Sequence, residues 1–300
     1  MKVPLRPELH TTDRPSSTAQ WTTLGRALEL IRPPEQQIVT DEYAPVFLSG
    51  SSKLVLQQLT LAAPLVHLAE RSPLVGLSAF GLCRHRFIDE HLLGALVEGA
   101  EQVIILGAGY DSRAYRFADE LSSVPVYEVD LPPLSRRKAA IVAEHPELFG
   151  HNSIVRVEID FRTQSLQERL DETGFERGRT TFVAWEGVTP YLSREAVEST
   201  LDALGELCGP KSMLCMDVWR GYGVERHGVL DEVRHVAAQA FALIGEPLTF
   251  GVPPRQVKDL LAAHGFDVVD LAEWDELAAR YSTDGRPSEE AAYVLAAQLH

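Results

Sequence analysis

From residue 102 to the C-terminus, short apolar runs alternate with stretches of helical period. This alternation restricts the fold more than any other feature of the chain. The apolar runs are 102–106, 124–129, 153–157, 181–185, 212–217, 266–271 and 291–297. Helical stretches separate most of them, at 111–121, 134–144, 166–173, 194–208, 254–264 and 274–281. A helix between two strands returns the chain to the end of the sheet where it started, so neighbouring strands pair in parallel. The pattern predicts an α/β fold with a seven-stranded, mostly parallel sheet and helices on both faces. The last run follows a short helix and is expected to return antiparallel on one edge of the sheet.

The first hundred residues read differently. Residues 11–19 are polar and read as a loose leader or the start of a cap. Leu24, Leu28 and Ile31 recur at helical spacing until Pro33-Pro34 breaks the chain. Further helical stretches cover 52–70 and 84–94. The expected organisation is an N-terminal helical cap over 1–91 and an α/β core over 92–300. Residues 220–251 exceed an ordinary connection, contain a helical stretch at 229–243, and read as an inserted lid.

Composition excludes several classes of function. Lys and Arg number 28 against 43 Asp and Glu, a formal charge of −15. Nucleic acid and anionic membranes call for a basic surface, so neither is expected as a partner. The longest uncharged stretch, 54–69, is interrupted by Gln57, Gln58, Pro64 and His67, and predicts no transmembrane helix. No apolar run follows Lys2, so no secretory signal is expected. Cys83, Cys208 and Cys215 are odd in number and suit a reducing cytoplasm. The ten histidines show no metal-ligand spacing, and no metal is expected. The Gly-x-Ser-x-Gly elbow of α/β-hydrolases is absent.

The chemistry concentrates where strands end. The run 102–106 leads straight into Gly107-Ala108-Gly109, a turn that lets backbone approach a ligand closely. Ser112 stands where a dinucleotide fingerprint would have its third glycine. Asp130 ends the second run, 23 residues after Gly107, where a carboxylate can accept both hydroxyls of a ribose. Asp160-Phe161 follows the third run and can frame a purine. Glu186-Gly187 follows the fourth, facing the crevice in which open α/β sheets bind ligands. These features indicate a nucleoside-type cofactor without separating a nicotinamide from S-adenosylmethionine.

Six blocks, in this order along the chain, add a resemblance. They are TDEYAPVFL (40–48), RHRFIDE (84–90), VIILGAGYDSRAYR (103–116), YEVDLP (127–132), WEGVTPYLS (185–193) and GFDVVDL (265–271). Together they resemble the leucine carboxyl methyltransferase family of class I S-adenosylmethionine-dependent methyltransferases. They are more closely similar to a bacterial branch that includes polyketide O-methyltransferases of the tetracenomycin type. The resemblance implies S-adenosyl-L-methionine as cofactor, with Arg84 holding the methionine carboxylate and Glu186 near its amine. It places Gly107, Ala108 and Gly109 beneath the cofactor, Asp130 and Leu131 at the ribose, and Asp160 and Phe161 at the adenine. Tyr191 would face the acceptor. His85 stands where Thr is usual and Pro190 where a larger apolar residue is common, and both bear on the choice of acceptor.

The implied activity is methyl transfer by in-line displacement to a carboxylate, enol or phenol oxygen of a small molecule, such as a natural-product intermediate. A carboxylate acceptor needs no general base. A phenol or enol would need one, and His85 and His227 are the weak candidates. Methylation of a protein C-terminal carboxylate is the alternative within the family. An NAD(P)-dependent oxidoreductase is disfavoured by the missing third glycine and by the lack of a Tyr-x-x-x-Lys pair. Arg84, Asp130 and Glu186 disfavour a non-catalytic binding module.

Overall fold

In a computed structural model, which describes residues 17–61, 76–150, 154–161, 163–221, 248–286 and 291–300, the seven expected strands form one sheet. They are β1 (Gln102–Leu106), β2 (Val126–Asp130), β3 (Ile154–Glu158), β4 (Thr181–Trp185), β5 (Met213–Trp219), β6 (Phe266–Ala272) and β7 (Ala292–Leu299). Their order is β3-β2-β1-β4-β5-β7-β6. The first five run parallel, and β7 is antiparallel to both of its neighbours.

The last strand corrects one expectation. β7 is antiparallel, as expected, but it lies between β5 and β6 and not on an edge. Its residues from Ala292 to Ala297 are all buried, so it needs cover on both faces and a partner on each side. β6 alternates buried Phe266 with exposed Asp267 and Val269, and takes the edge. A register shift between Val268 and Asp270 interrupts its ladder, one of the ways an edge is blunted.

Among the described residues, the helices in chain order are α1 (Ser17–Glu29), α2 (Ala44–Phe47), α3 (Gly50–Leu61), α4 (Gly76–Val97), α5 (Arg113–Arg116), α6 (Pro132–Glu144), α7 (Pro146–Phe149), α8 (Leu166–Asp171), α9 (Arg194–Leu207), α10 (Pro254–Ala263) and α11 (Trp274–Tyr281). The helix expected over 111–121 is only the single turn α5. Turns follow it and carry Leu121 into the core just before β2 begins. The third N-terminal helix is longer than its apolar spacing suggested, and α4 runs unbroken through position 91. The expected leader at 11–16, residues 62–70 of the second helix and the lid helix at 229–243 lie outside the described residues. The backbones of Gly221 and Gly251, which flank the expected lid, meet closely, and Val252 N–H donates to Trp219 C=O at 2.8 Å. None of the described helices is long and apolar enough to cross a membrane.

Two apolar cores sandwich the sheet. On one face, Ile104, Val183 and Leu214 pack against Leu166 and Leu170 of α8, Leu201 and Leu204 of α9, and Leu261 of α10. On the other, Val103, Ile105 and Phe182 meet Phe87, Ile88 and Leu92 of α4 and Leu277 of α11. In α9, Val197, Leu201 and Leu204 recur at helical spacing, and the Ser193 hydroxyl caps the helix by accepting from Ala196 N–H. Neighbouring β1 and β4 send their chains to opposite sides of the sheet. Ala114 after β1 lies in the second core and Leu201 after β4 in the first. A crevice opens at the carboxyl ends of strands where such directions part.

Candidate functional site

The turn after β1 lies at the carboxyl end of that strand, where the chains leaving β1 and β4 part. Gly107 has φ +67°, and a Cβ there would overlap Val188 Cγ2, so only glycine fits. The N–H groups of Gly107 and Ala108 donate to Val129 C=O at 2.8 and 3.1 Å, tying the turn to the end of β2. Asp130 stands at that end, its carboxylate accepting the N–H groups of Gly109 and Leu131. Burial, working against those two hydrogen bonds, pushes the Asp130 carboxyl up to about 6. Leu131 begins the turn into α6 and is largely exposed.

Glu186, just past β4, is gripped at both oxygens. Arg84 Nε donates to Oε1 at 3.0 Å, and Arg113 approaches Oε2 at 2.8 Å. His85 Nδ1 lies 2.9 Å from Oε2. Arg84 also reaches Asp217 of β5 through NH1 at 2.8 Å, and Asp217 accepts Gly187 N–H at 2.6 Å. Arg113 is fully buried and donates through Nε to Asp89 at 2.7 Å and through NH1 to Asp111. Arg116 completes the cluster, with NH1 on Asp89 at 2.7 Å and NH2 on His85 Nε2 at 2.8 Å.

The charges set one another. Burial alone would raise the Asp111 carboxyl, yet the neighbouring cations, Arg113 foremost, bring it down to about 2. Against the same penalty, His85, Arg113 and Arg84 hold Glu186 well below the usual carboxylate range. His85 moves the other way: burial, then Arg113, lowers its pKa and favours the neutral ring. Burial raises Asp217 despite Arg84 beside it. Three guanidiniums thus face four carboxylates, Asp89, Asp111, Glu186 and Asp217, around a neutral imidazole. His85, Asp111 and Glu186 present atoms within 4.8 Å of one another, a spacing that suits a metal ion. The Arg113 guanidinium lies against all three and is the cation they hold.

An outer layer braces this cluster from the N-terminal helices. Asp41 accepts Ser112 Oγ–H at 2.7 Å and Arg26 Nε–H at 2.8 Å. Arg26 also donates to Tyr110 C=O at 2.7 Å. Lys138, buried beneath the turn, donates to Asp111 C=O at 2.6 Å and pairs with Glu128 at 2.7 Å.

Of the residues singled out in the sequence, Arg84, His85 and Glu186 meet directly, as do Gly109 and Asp130. Asp160 follows β3, beside Ile159, whose N–H donates to Asp130 C=O at 2.9 Å; Phe161 packs on the first core. Tyr191 lies in a short 3-10 turn after Glu186, half-buried. His227 lies outside the described residues. Asp89, Asp111, Arg113, Arg116 and Asp217 were not anticipated. All but Asp217 sit inside the blocks that carry the resemblance. Asp217 had its own signal, an acid inside the apolar run of β5.

Comparison with known proteins gives a consistent picture. A family model described as leucine carboxyl methyltransferase matches residues 19–205. A protein of Mycobacterium leprae named as an S-adenosyl-L-methionine-dependent methyltransferase is 30% identical over 258 residues, 85% of this chain and 81% of the relative. One of Mycobacteroides abscessus with the same name is 32% identical over 276 residues, 86% of this chain and 84% of the relative. A crystal structure of a DUF574 family protein from Streptomyces avermitilis superposes with a TM-score of 0.59 at 16% identity, covering 92% of this chain and 97% of the other. That likeness bears out the seven-stranded α/β fold.

Proposed function

We propose that this chain, which belongs to the leucine carboxyl methyltransferase family, binds S-adenosyl-L-methionine and transfers its methyl group to an oxygen of a small-molecule acceptor. The observation that carries the reading is the meeting of the Gly107–Gly109 turn, Asp130 and Glu186 over the carboxyl ends of β1, β2 and β4. The donor set suits such a ligand. A carboxylate offers about four lone-pair sites, and two at Asp130 remain for ribose hydroxyls after Gly109 and Leu131 are served. The single excess negative charge of the buried cluster complements a ligand whose sulfonium and ammonium outnumber its carboxylate. Arg84 uses Nε and NH1 on Glu186 and Asp217, which leaves NH2 for the methionine carboxylate.

Bound S-adenosylmethionine supplies a methyl group already activated by its positive sulfur. The chain has to align an acceptor with it and exclude water, and alignment of this kind contributes roughly 7–11 kcal/mol in favourable cases. Asp130 and Glu186 hold the two ends of the donor. Residues 1–91 and Tyr191 are assigned to the acceptor. An acceptor carboxylate needs no base, and both ring nitrogens of His85 are already engaged. A polyketide-type or other natural-product acceptor fits the resemblance in the sequence. Three buried free cysteines suit work in the cytoplasm.

Calorimetric titration with S-adenosylmethionine, S-adenosylhomocysteine and NAD(H) tests the cofactor. Binding of NAD(H) alone would remove the reading. Labelled methyl donor supplied with a host metabolite extract then tests the acceptor. Label in a base-labile small-molecule ester supports a carboxylate, and label in a base-stable ether supports a phenol or enol. Label confined to protein would transfer the assignment to protein carboxyl methylation.

A further inference from the structure

We propose that His85 is a positioning residue held as one neutral tautomer, its Nδ1–H donating to Glu186 and its Nε2 accepting from Arg116, so that the Glu186 carboxylate is aimed at the donor's ammonium. This rests on the reading of the site as a methyl-donor pocket. The partners of Nε2 select this protonation state. Arg116 NH2 can only donate, and it lies 2.8 Å from Nε2 and 3.0 Å from Asp89 Oδ1, which uses both of its hydrogens. Nε2 must therefore present a lone pair. Glu186 Oε2 can only accept, and at 2.9 Å from Nδ1 it requires a proton there.

Arg113 NH2 also lies 2.9 Å from Nδ1, donates to His85 C=O at 3.0 Å and stands 2.8 Å from Glu186 Oε2. With Nε2 bare, Nδ1 carries the single proton of a neutral ring, and the Glu186 carboxylate is the acceptor that faces it. The opposite tautomer would set N–H against N–H at Arg116 and lone pair against carboxylate at Glu186. An imidazolium would keep the first of these clashes.

The groups facing the ring come from every element around it. They are Glu186 after β4, Arg113 and Arg116 of α5, Asp111 of the glycine turn, and Asp89 one helical turn along α4, with Oδ1 at 4.0 Å from Nε2. Arg116 is in turn fixed by Ser112, whose Oγ accepts from its Nε at 3.1 Å and donates to Asp41. The ring is buried, and burial and then Arg113 lower its pKa, which favours the neutral ring that the Nε2 contact selects. A ring with its proton and its lone pair both committed orients Glu186 and takes no proton from an acceptor.

Two measurements on the full chain test the assignment. Imidazole nitrogen NMR of the donor-free protein is expected to show Nδ1 protonated and Nε2 bare, without titration between about pH 5 and 8. An Nε2-protonated ring, or one that titrates in this window, would overturn it. Calorimetry with S-adenosylhomocysteine is expected to show His85→Ala binding about tenfold weaker. His85→Asn, whose amide can still donate to Glu186, should recover most of that loss. Wild-type affinity in His85→Ala, or no recovery in a folded His85→Asn, would overturn the positioning role. Should the wild-type protein bind no S-adenosyl ligand, the donor-pocket reading fails separately, because the tautomer is read without ligand.

Discussion

Replacing Arg113 with Met keeps a long apolar side chain and removes the cation on which the buried cluster depends. Asp89, Asp111 and Glu186 would each lose a guanidinium contact in a largely buried place. Removing one partner of a buried ion pair costs about 3–5 kcal/mol, because the remaining charge stays desolvated. For a domain of this size that corresponds to a fall in Tm on the order of 10 °C. The pH dependence identifies the cause. The folded pKa of Asp111, down from 3.8 to about 2, contributes roughly 2–3 kcal/mol. A depressed acid stabilises fully above its unfolded value and loses that stability as pH falls through the folded one. The deficit of Arg113→Met should accordingly be full at pH 7 and shrink between about pH 4 and 2. Urea unfolding followed by far-ultraviolet circular dichroism at several pH values measures this. A loss below about 1 kcal/mol at pH 7 would refute the argument, as would a loss that stays constant down to pH 3. Arg113→Lys retains the charge without the fork and should fall between the two.

Other perturbations follow from the same geometry. Gly107→Ala meets Val188 and a positive φ, and should cost about 1–3 kcal/mol of stability together with cofactor affinity. Adding Val188→Ala should return the steric part of that loss, as thermal melts of the single and double variants would show. Asp130→Ala should weaken S-adenosylhomocysteine binding at least about tenfold in calorimetry, and wild-type affinity would remove the ribose assignment. Because the Asp130 carboxyl titrates at about 6 before ligand binds, affinity in the wild type should decline as pH is lowered from 7 to 5. Lys138→Met leaves the buried Glu128 with only the longer Arg156 contact at 3.7 Å and should destabilise by about 3 kcal/mol, and adding Glu128→Gln should recover a measurable share.

Local pattern carried the elements whose stability is local. β1, β4 and α11 occupy the bounds their periodicity predicts, since each is closed by an adjacent turn or break. The 111–121 stretch misled because Arg113 and Arg116 are turned inward onto Asp89 and Glu186. Spacing shows that charges lie near one another in sequence, but not that the main chain folds to bury them.

The sequence by itself determined the class of sheet, the glycine turn, and the acids Asp130 and Glu186, because strand ends and tight turns are written in neighbouring residues. The tertiary structure decided the place of β7, since which strand takes an edge depends on what covers both faces. It also decided the electrostatics of the site. Arg84 lies 102 residues from Glu186 and 133 from Asp217. Such distant charges influence one another only after the fold has removed the water between them and raised the cost of leaving any of them unpaired.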